Sequence, residues 1–428
     1  MSNTSTTDGL FKVEGSGNFT FNNQQQKLLI MLNEWWKNRP AIPDEPYVFV
    51  YSGKAGTGKT TIIKYFLESI GIGADQFVAV ALAGKATTVL SSHGLPSSTI
   101  HSLIYNVMEE NVLDENGEPI LKADGTPVVK FMFIKKMALP ESLKLIIVDE
   151  LSMVNDELMS DLLSFKLPII GMGDLNQLPP VFGISSWMIH PNFVLDQIMR
   201  QESGNPIVMI ADHILNYKPL DYGDYGESRI VRKVDMGINL LTDYDIILCG
   251  KNKTRDIINN YIRSYLVGCE DIYPVLGDKM ICRSNHKDYR VGNFFLTNGT
   301  IGRVEIGNEK GRTSKKMTIN LAADFADIKF NDVDIDLDYL RADYEERKRF
   351  GITKYAKFEY GYAITVHLSQ GSQYNRVLYF DEQIMGGREM AKKLRYTAVT
   401  RAIKTLDIVT TPVEYLLPSD YTNPSLYV

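Results

Sequence analysis

The sequence predicts an α/β protein of two lobes, each a mostly parallel sheet wrapped by helices and each interrupted by a β-rich insertion. Alternation is the first observation. Apolar strand-like runs at residues 47–51, 77–82, 145–148 and 169–172 are separated by helix-compatible stretches. A second such set begins near 245–249 and resumes at 376–380 and 405–409. Length is the next. At 428 residues, with 44% hydrophobic residues, the chain can fill more than one core. Turn chemistry completes the case, because β-turn dipeptides cluster in two places where the rhythm breaks.

The first break covers 103–140, where Asn116-Gly117 and Asp124-Gly125 lie between β-prone runs and predict a projecting hairpin. The second covers 283–358, with Asn298-Gly299, further glycines and the alternating run 317–321, and predicts a small β-rich insertion. Within it, Asp332, Asp334, Asp336 and Asp338 superficially resemble a calcium loop. Such a loop needs Gly at its sixth place and Glu at its twelfth, where Leu337 and Asp343 stand. Alternation with Val333, Ile335 and Leu337 predicts a half-exposed strand instead.

Composition sets wide bounds. The net charge of −6, from 46 basic and 52 acidic residues, argues mildly against a nucleic-acid binder, although a local basic groove would suffice. Cys249, Cys269 and Cys282 have no zinc spacing, and their odd number suits a reducing compartment. No apolar run reaches the ~18 residues of a membrane span, and residues 1–20 read as a polar tail without a signal-peptide core. A cytoplasmic protein with no membrane partner is expected.

Gly53-Lys54-Ala55-Gly56-Thr57-Gly58-Lys59-Thr60 fits the phosphate-binding loop, with a β-rich run before it and a helical run after it. Its glycines let backbone amides curl around phosphate oxygens at a helix N-terminus. Lys59 is placed to reach the β- and γ-phosphates, and Thr60 to ligate Mg²⁺. The apolar run 145–148 ends in Asp149 and Glu150. Asp149 would join Thr60 at the metal, and Glu150 would polarise an attacking water. ATP and Mg²⁺ are the expected ligands.

Further motifs narrow the ATPase class. Gly173-Asp174-Leu175-Asn176-Gln177-Leu178-Pro179-Pro180-Val181 resembles helicase motif III. The run Tyr362-Ala363-Ile364-Thr365-Val366-His367-Leu368-Ser369-Gln370-Gly371-Ser372 resembles motif V, and Leu394-Arg395-Tyr396-Thr397-Ala398-Val399-Thr400-Arg401-Ala402 resembles motif VI. Thr99-Ile100-His101-Ser102-Leu103 is similar to motif Ic, and residues 21–25 to the adenine-reading Q motif, with Gln26 the alternative to Gln25. In this order the motifs resemble superfamily 1B, the 5′-to-3′ DNA helicases of RecD-like and Dda-like type often found in phages. His367-Leu368-Ser369-Gln370-Gly371-Ser372, Gly277-Asp278-Lys279-Met280 and Asn298-Gly299-Thr300-Ile301-Gly302 favour that branch over the UvrD-like one.

That resemblance implies two RecA-like phosphate-loop lobes, a strand-separating pin at 103–140 and an SH3-like insertion at 283–358. The implied domains are 1A (21–102 and 141–196), 1B (103–140), 2A (197–282 and 359–428) and 2B (283–358). Gln177 becomes a γ-phosphate sensor, Arg401 the main arginine finger and Arg200 a second γ-phosphate arginine. Gln25, Gly53, Ala55, Gly56, Thr57, Gly58 and Gly371 join Lys59 and Thr60 in the nucleotide site. Lys85, Thr87, His101, Ser102, Asn298, His367, Ser369 and Gln370 become strand contacts, and Phe131 and Phe133 the apolar bulk of the pin.

Departures are visible. Ala83-Gly84-Lys85-Ala86-Thr87 replaces the family's Ala-Pro-Thr, Gln373 stands for a usual glutamate, and Leu368 for a common lysine. The expected function is ATP-driven 5′-to-3′ translocation on single-stranded DNA with duplex unwinding. The alternative within the motor class is a translocase that displaces proteins with little unwinding. A phosphate-loop kinase is the rival from another class, and motifs III, V and VI argue against it. Expected partners are single-stranded and forked DNA, with single-strand-binding, replication or recombination proteins as candidates. The expected protein is a monomer, in the host cytoplasm if phage-encoded.

Overall fold

The computed structural model describes residues 21–410 apart from 41–44, 112, 114–116, 120–126, 128, 181–182, 198–204, 233–240, 242, 267, 269–272, 293, 309–312, 325–327, 352, 354 and 383–386. The tail 1–20, Asn116, Asp124-Gly125, Cys269 and Arg200 therefore lie outside the described residues.

The first lobe holds a six-stranded, wholly parallel sheet. Its spatial order is Ser97–Thr99, Phe77–Ala81, Leu145–Val148, Ile169–Gly173, Val48–Gly53 and Phe193–Leu195. Continuous apolar runs such as Leu-Ile-Ile-Val suit strands buried on both faces. One face carries a core of Leu28, Leu32, Ile62, Phe66, Ala79 and Ile147, and the other one of Val80, Ile146, Val148, Met159 and Leu162.

The second lobe repeats the plan. Its strands run Ala363–Thr365, Ile246–Cys249, Tyr374–Asp381, Ala402–Thr410, Ser228–Arg232 and Gly223–Tyr225, parallel except for the last pair. The helices Pro206–Leu215 and Gly387–Val399 pack against one another over this sheet. Cys249 and Cys282 are buried thiols, and burial pushes Cys282 up to about 12.

The two breaks in the sequence rhythm are β structures. A hairpin joins Tyr105–Asn111 to Val129–Lys135, pairing Tyr105 with Lys135 and Val107 with Phe133. An antiparallel five-stranded sheet runs Lys329–Asp336, Lys316–Ala323, Ile301–Asn308, Lys279–Cys282 and Phe358–Tyr360 around its own core. It thus draws in a strand lying before residue 283. The aspartate run is the expected strand as far as Asp336, with Val333 and Ile335 buried and Asp334 turned to Lys316 Nζ at 2.6 Å. Beyond it Asp336 caps a short helix, Leu337–Arg341, that takes Leu337 and Asp338 out of the strand.

A buried ionic joint ties that sheet to the second lobe. Glu359 on Phe358–Tyr360 meets Arg255 Nη1 of the helix Asn252–Tyr261 at 3.1 Å and Arg283 Nε at 3.2 Å. Burial alone would raise the Glu359 carboxyl. The guanidiniums of Arg283, Arg255 and Arg347 outweigh it and hold the group below its ordinary value. No helix among the described residues is long and apolar enough to cross a membrane.

Candidate active site

The phosphate loop joins the strand Val48–Gly53 to the helix Lys59–Ser69. Gly56 and Gly58 take φ of 80° and 83°, a left-handed backbone that a side chain would strain, and so turn the loop back on itself. Lys59 Nζ lies 2.7 Å from the Gly53 carbonyl oxygen, inside the cradle it helps form. Gln25 is fully buried: its Nε2 donates to the Thr57 carbonyl at 3.0 Å, while its Oε1 accepts from the Asn22 amide in a helix capping box. Gln25 therefore braces the loop from behind. Gln26 donates instead to the Phe21 carbonyl.

Sheet order decides what faces the loop. The strand Ile169–Gly173 lies between Val48–Gly53 and Leu145–Val148, so the segment after it emerges between the phosphate loop and the acidic pair. That segment carries Asp174 and Gln177, both buried. Burial, then the adjacent Glu150 carboxylate, push Asp149 up to about 7, while Lys59 and the Glu150 amide pull it down. Glu150 adopts φ 50°, ψ 43°, a strained conformation for a residue with a Cβ and one that recurs at functional positions. The Asp149 and Glu150 carboxylates, with Lys59 close to Asp149, offer hard oxygen donors that suit a magnesium ion shared with phosphates.

The second lobe closes directly on these elements. The Tyr396 hydroxyl donates to Asp174 Oδ2 at 2.8 Å, and the Leu178 amide donates to Thr397 Oγ1 at 3.0 Å. Gln370 Nε2 reaches the Leu178 carbonyl at 3.3 Å. Lys85 Nζ lies 3.1 Å from the Tyr374 hydroxyl and 4.6 Å from its ring centroid. Gly371 abuts Ala86, and Gly84 abuts Thr297, each so closely that a Cβ would stand 3.0 Å or less from its neighbour. A cavity of about 300 Å³ opens beside the loop, lined by Lys54, Ala55 and Gly56 from one lobe and Gln373, Tyr396 and Thr400 from the other.

Arg401 is buried at this boundary. Its guanidinium donates to the carbonyls of Thr397 and Ser372, both at 3.1 Å, and to Thr400 Oγ1 at 3.2 Å. Ser369 is also buried and bonds the Val366 carbonyl. Ser369, Gln370 and Lys85 are thus engaged within the protein, and Gly371 sits against Ala86 rather than on the phosphate loop. Thr87 Oγ1 bonds the Gly84 carbonyl at 2.6 Å. His101 and His367 are half-buried, and burial lowers the pKa of both. Ser102 and Asn298 face solvent.

At the hairpin base, Phe133 is 58% exposed and meets the rings of His101 and Tyr105 edge-on at 5.5 and 5.9 Å. The backbone of Phe131 pairs with Glu109, farther out. Asp161 anchors the base, accepting from the Tyr105 hydroxyl and from Lys135 Nζ. Asp174, Tyr396, Thr397 and Tyr374 were not singled out from the sequence, although three of them lie inside motifs III and VI. Only the docked lobes reveal their contacts.

A family model described as an AAA domain matches residues 40–216, and one described as a UvrD-like helicase C-terminal domain matches 360–409. Those spans contain the phosphate loop with motif III, and motifs V and VI. The chain thus joins an AAA-type phosphate-loop region to a region like the UvrD-like helicase C-terminal domain. It is 31% identical to the ATP-dependent DNA helicase dda of Enterobacteria phage T4, over 42% of this chain and 40% of that one. It is 26% identical to the ATP-dependent RecD2 DNA helicase of Deinococcus radiodurans, over 82% of this chain and 45% of that one. The chain spans less than half the length of these curated relatives. Among solved folds it resembles Pif1 helicases described as unwinding forked duplex DNA, with a TM-score of 0.55, 18% identity and 94% of each chain covered. It also resembles a Bacteroides Pif1 helicase solved with ADP-AlF3 and single-stranded DNA, with a TM-score of 0.51, 16% identity and 92% of each chain covered.

Proposed function

We propose that this chain is an ATP-dependent DNA helicase that translocates 5′-to-3′ on single-stranded DNA and separates duplex ahead of it. The observation that carries this reading is the composite site: motif III of the first lobe is bonded to motifs V and VI of the second, beside the phosphate loop. A small-molecule kinase has no need of such a joint. The relatives named as DNA helicases support the same reading.

ATP would bind in the cleft between the lobes. Lys59 and the loop amides hold its phosphates, Glu150 orients and deprotonates the attacking water, and Gln177 and Arg401 face the γ-phosphate. Thr60 and Asp149 would hold Mg²⁺, which when bound neutralises phosphate charge. Arg200 is carried as a second γ-phosphate arginine on its motif alone. An arginine finger is worth ~10³–10⁵ in rate, enough to make turnover depend on lobe closure.

Closure and reopening would alternate the grips of the two lobes on a single strand. Thr87, His101 and Ser102 provide contacts from one lobe, and Asn298 and His367 from the other. Lys85, Ser369 and Gln370 join them if the joint opens. A grip on phosphates and base faces is salt-sensitive and nearly sequence-blind. Each base-pair step separated must overcome ~1.4 kcal/mol of stacking on average, so a fixed wedge is needed. The hairpin with Phe131 and Phe133 is our candidate for that wedge, domain 1B. The five-stranded sheet, 2B, is read as the SH3-like insertion between the halves of 2A.

Strand displacement on 5′-tailed, 3′-tailed and forked duplexes, with and without ATP, tests the proposal. A 5′ tail should be required. Efficient unwinding from a 3′ tail alone would refute the direction. ATP-dependent protein displacement without unwinding would favour the translocase alternative.

A further inference from the structure

We infer that Tyr396 is a positioning residue that places Gln177 for hydrolysis only when the lobes are docked. The inference deepens the proposed ATPase function and rests on it. Gln177 sits in a short loop with little support from its own lobe. Its side-chain Oε1 is buried without a hydrogen-bond partner among the described residues. On the first-lobe side, the Leu175 amide is held by Ser52 Oγ at 3.2 Å, and the Gln177 amide by the Asp174 carbonyl at 3.2 Å.

The second lobe holds the loop at both ends. Before Gln177, the Tyr396 hydroxyl bonds Asp174 Oδ2, whose other oxygen accepts from the Asn176 amide at 3.0 Å and from its side chain at 3.1 Å. After Gln177, Thr397 Oγ1 and Gln370 Nε2 take both backbone polar groups of Leu178. Tyr396, Asp174, Leu178, Thr397 and Gln370 are all buried, and an unpaired polar group there is costly. Parting the lobes would release Asp174 and Leu178 together and free the loop. Tyr396 also lines the cavity beside the phosphate loop, together with Lys54, Ala55 and Gly56.

Tyr396→Phe removes that hydroxyl and keeps the ring. The full chain should then lose about tenfold or more of its DNA-stimulated kcat for ATP, the scale of one hydrogen bond to a buried charged group. KM for ATP and binding of a fluorescent ADP analogue should stay within about twofold, because the phosphate cradle is untouched. Tyr244→Phe is the control: it deletes another buried Tyr–Asp hydrogen bond, to Asp407 inside the second lobe, away from the joint. It should lower the melting temperature but leave kcat at the parental value.

Parental kcat in Tyr396→Phe overturns the inference, and so does an equal loss of kcat in both variants. A parent with no DNA-stimulated turnover overturns the proposed function and this inference together. Should Tyr396→Phe fail to fold, Thr397→Val, which removes the Leu178 contact, carries the same expectation and is overturned by parental kcat.

Discussion

Arg401 Nη1 donates to the Ser372 carbonyl oxygen across 3.1 Å, so the proposed finger is anchored in its own lobe by the last residue of motif V. With its bonds to Thr397 and Thr400, the guanidinium braces the turn between helix Gly387–Val399 and strand Ala402–Thr410. Arg401→Ala should therefore lower both the melting temperature and turnover, with turnover falling ~10³-fold or more. Arg401→Lys should be nearly as damaging, since an ammonium cannot span three acceptors in a planar fork. Comparing kcat with the ATP dissociation constant checks the assignment. Full turnover with weakened DNA binding would move Arg401 to the strand groove.

Glu150 is the proposed general base for water activation, and its backbone at φ 50° is strained. Glu150→Gln should retain ATP binding while DNA-stimulated turnover drops ~10²–10⁴-fold, the usual contribution of a general base. Single-turnover hydrolysis measured beside nucleotide affinity decides it. Near-parental turnover removes Glu150 from the role.

Asp149 provides a pH dependence. Burial and Glu150 push its carboxyl up to about 7, so below that pH the free enzyme holds a proton where Mg²⁺ would bind. Metal affinity should fall with acidity, the Mg²⁺ half-saturation rising by up to about tenfold per pH unit below 7 and levelling above it. Titrating Mg²⁺ at a fixed saturating ATP concentration from pH 5.5 to 8.5 measures this. A flat profile would mean that Asp149 is not the ion's ligand.

The hairpin offers a separation of functions. Asp161 fixes its base through Tyr105 and Lys135, so shortening the chain between residues 112 and 129 to a tight turn should leave the first lobe intact. Unwinding of forked duplex should be abolished while single-stranded DNA still stimulates ATP turnover. Parental unwinding by that variant would assign strand separation to another surface. Phe133→Ala alone should have a smaller effect, since its ring lies at the base against His101.

Much of this protein is local and therefore legible in sequence. The phosphate loop needs glycines at positive φ, a lysine and a hydroxyl at fixed spacing, and each can be read without knowing the fold. Both sheets announce themselves as apolar runs, because a parallel strand buried on two faces must be apolar throughout. The hairpin and the small sheet follow from turn dipeptides and period-two alternation. Short strands such as Ser97–Thr99, Phe193–Leu195 and Ala363–Thr365 escaped, because three residues carry no period and are held by their neighbours alone.

What the tertiary structure decided is the joint. Nothing in a linear sequence says that Tyr396 meets Asp174, 222 residues away, or that Lys85 meets Tyr374. Nor does it say that Gln370, which reads as a strand contact, turns inward to Leu178. Side-chain partners across a cleft depend on how two separately folded lobes dock, and docking is set by shape and polar satisfaction summed over both surfaces. Chemistry at a site is written in residue type and spacing; the coupling between lobes exists only once they touch.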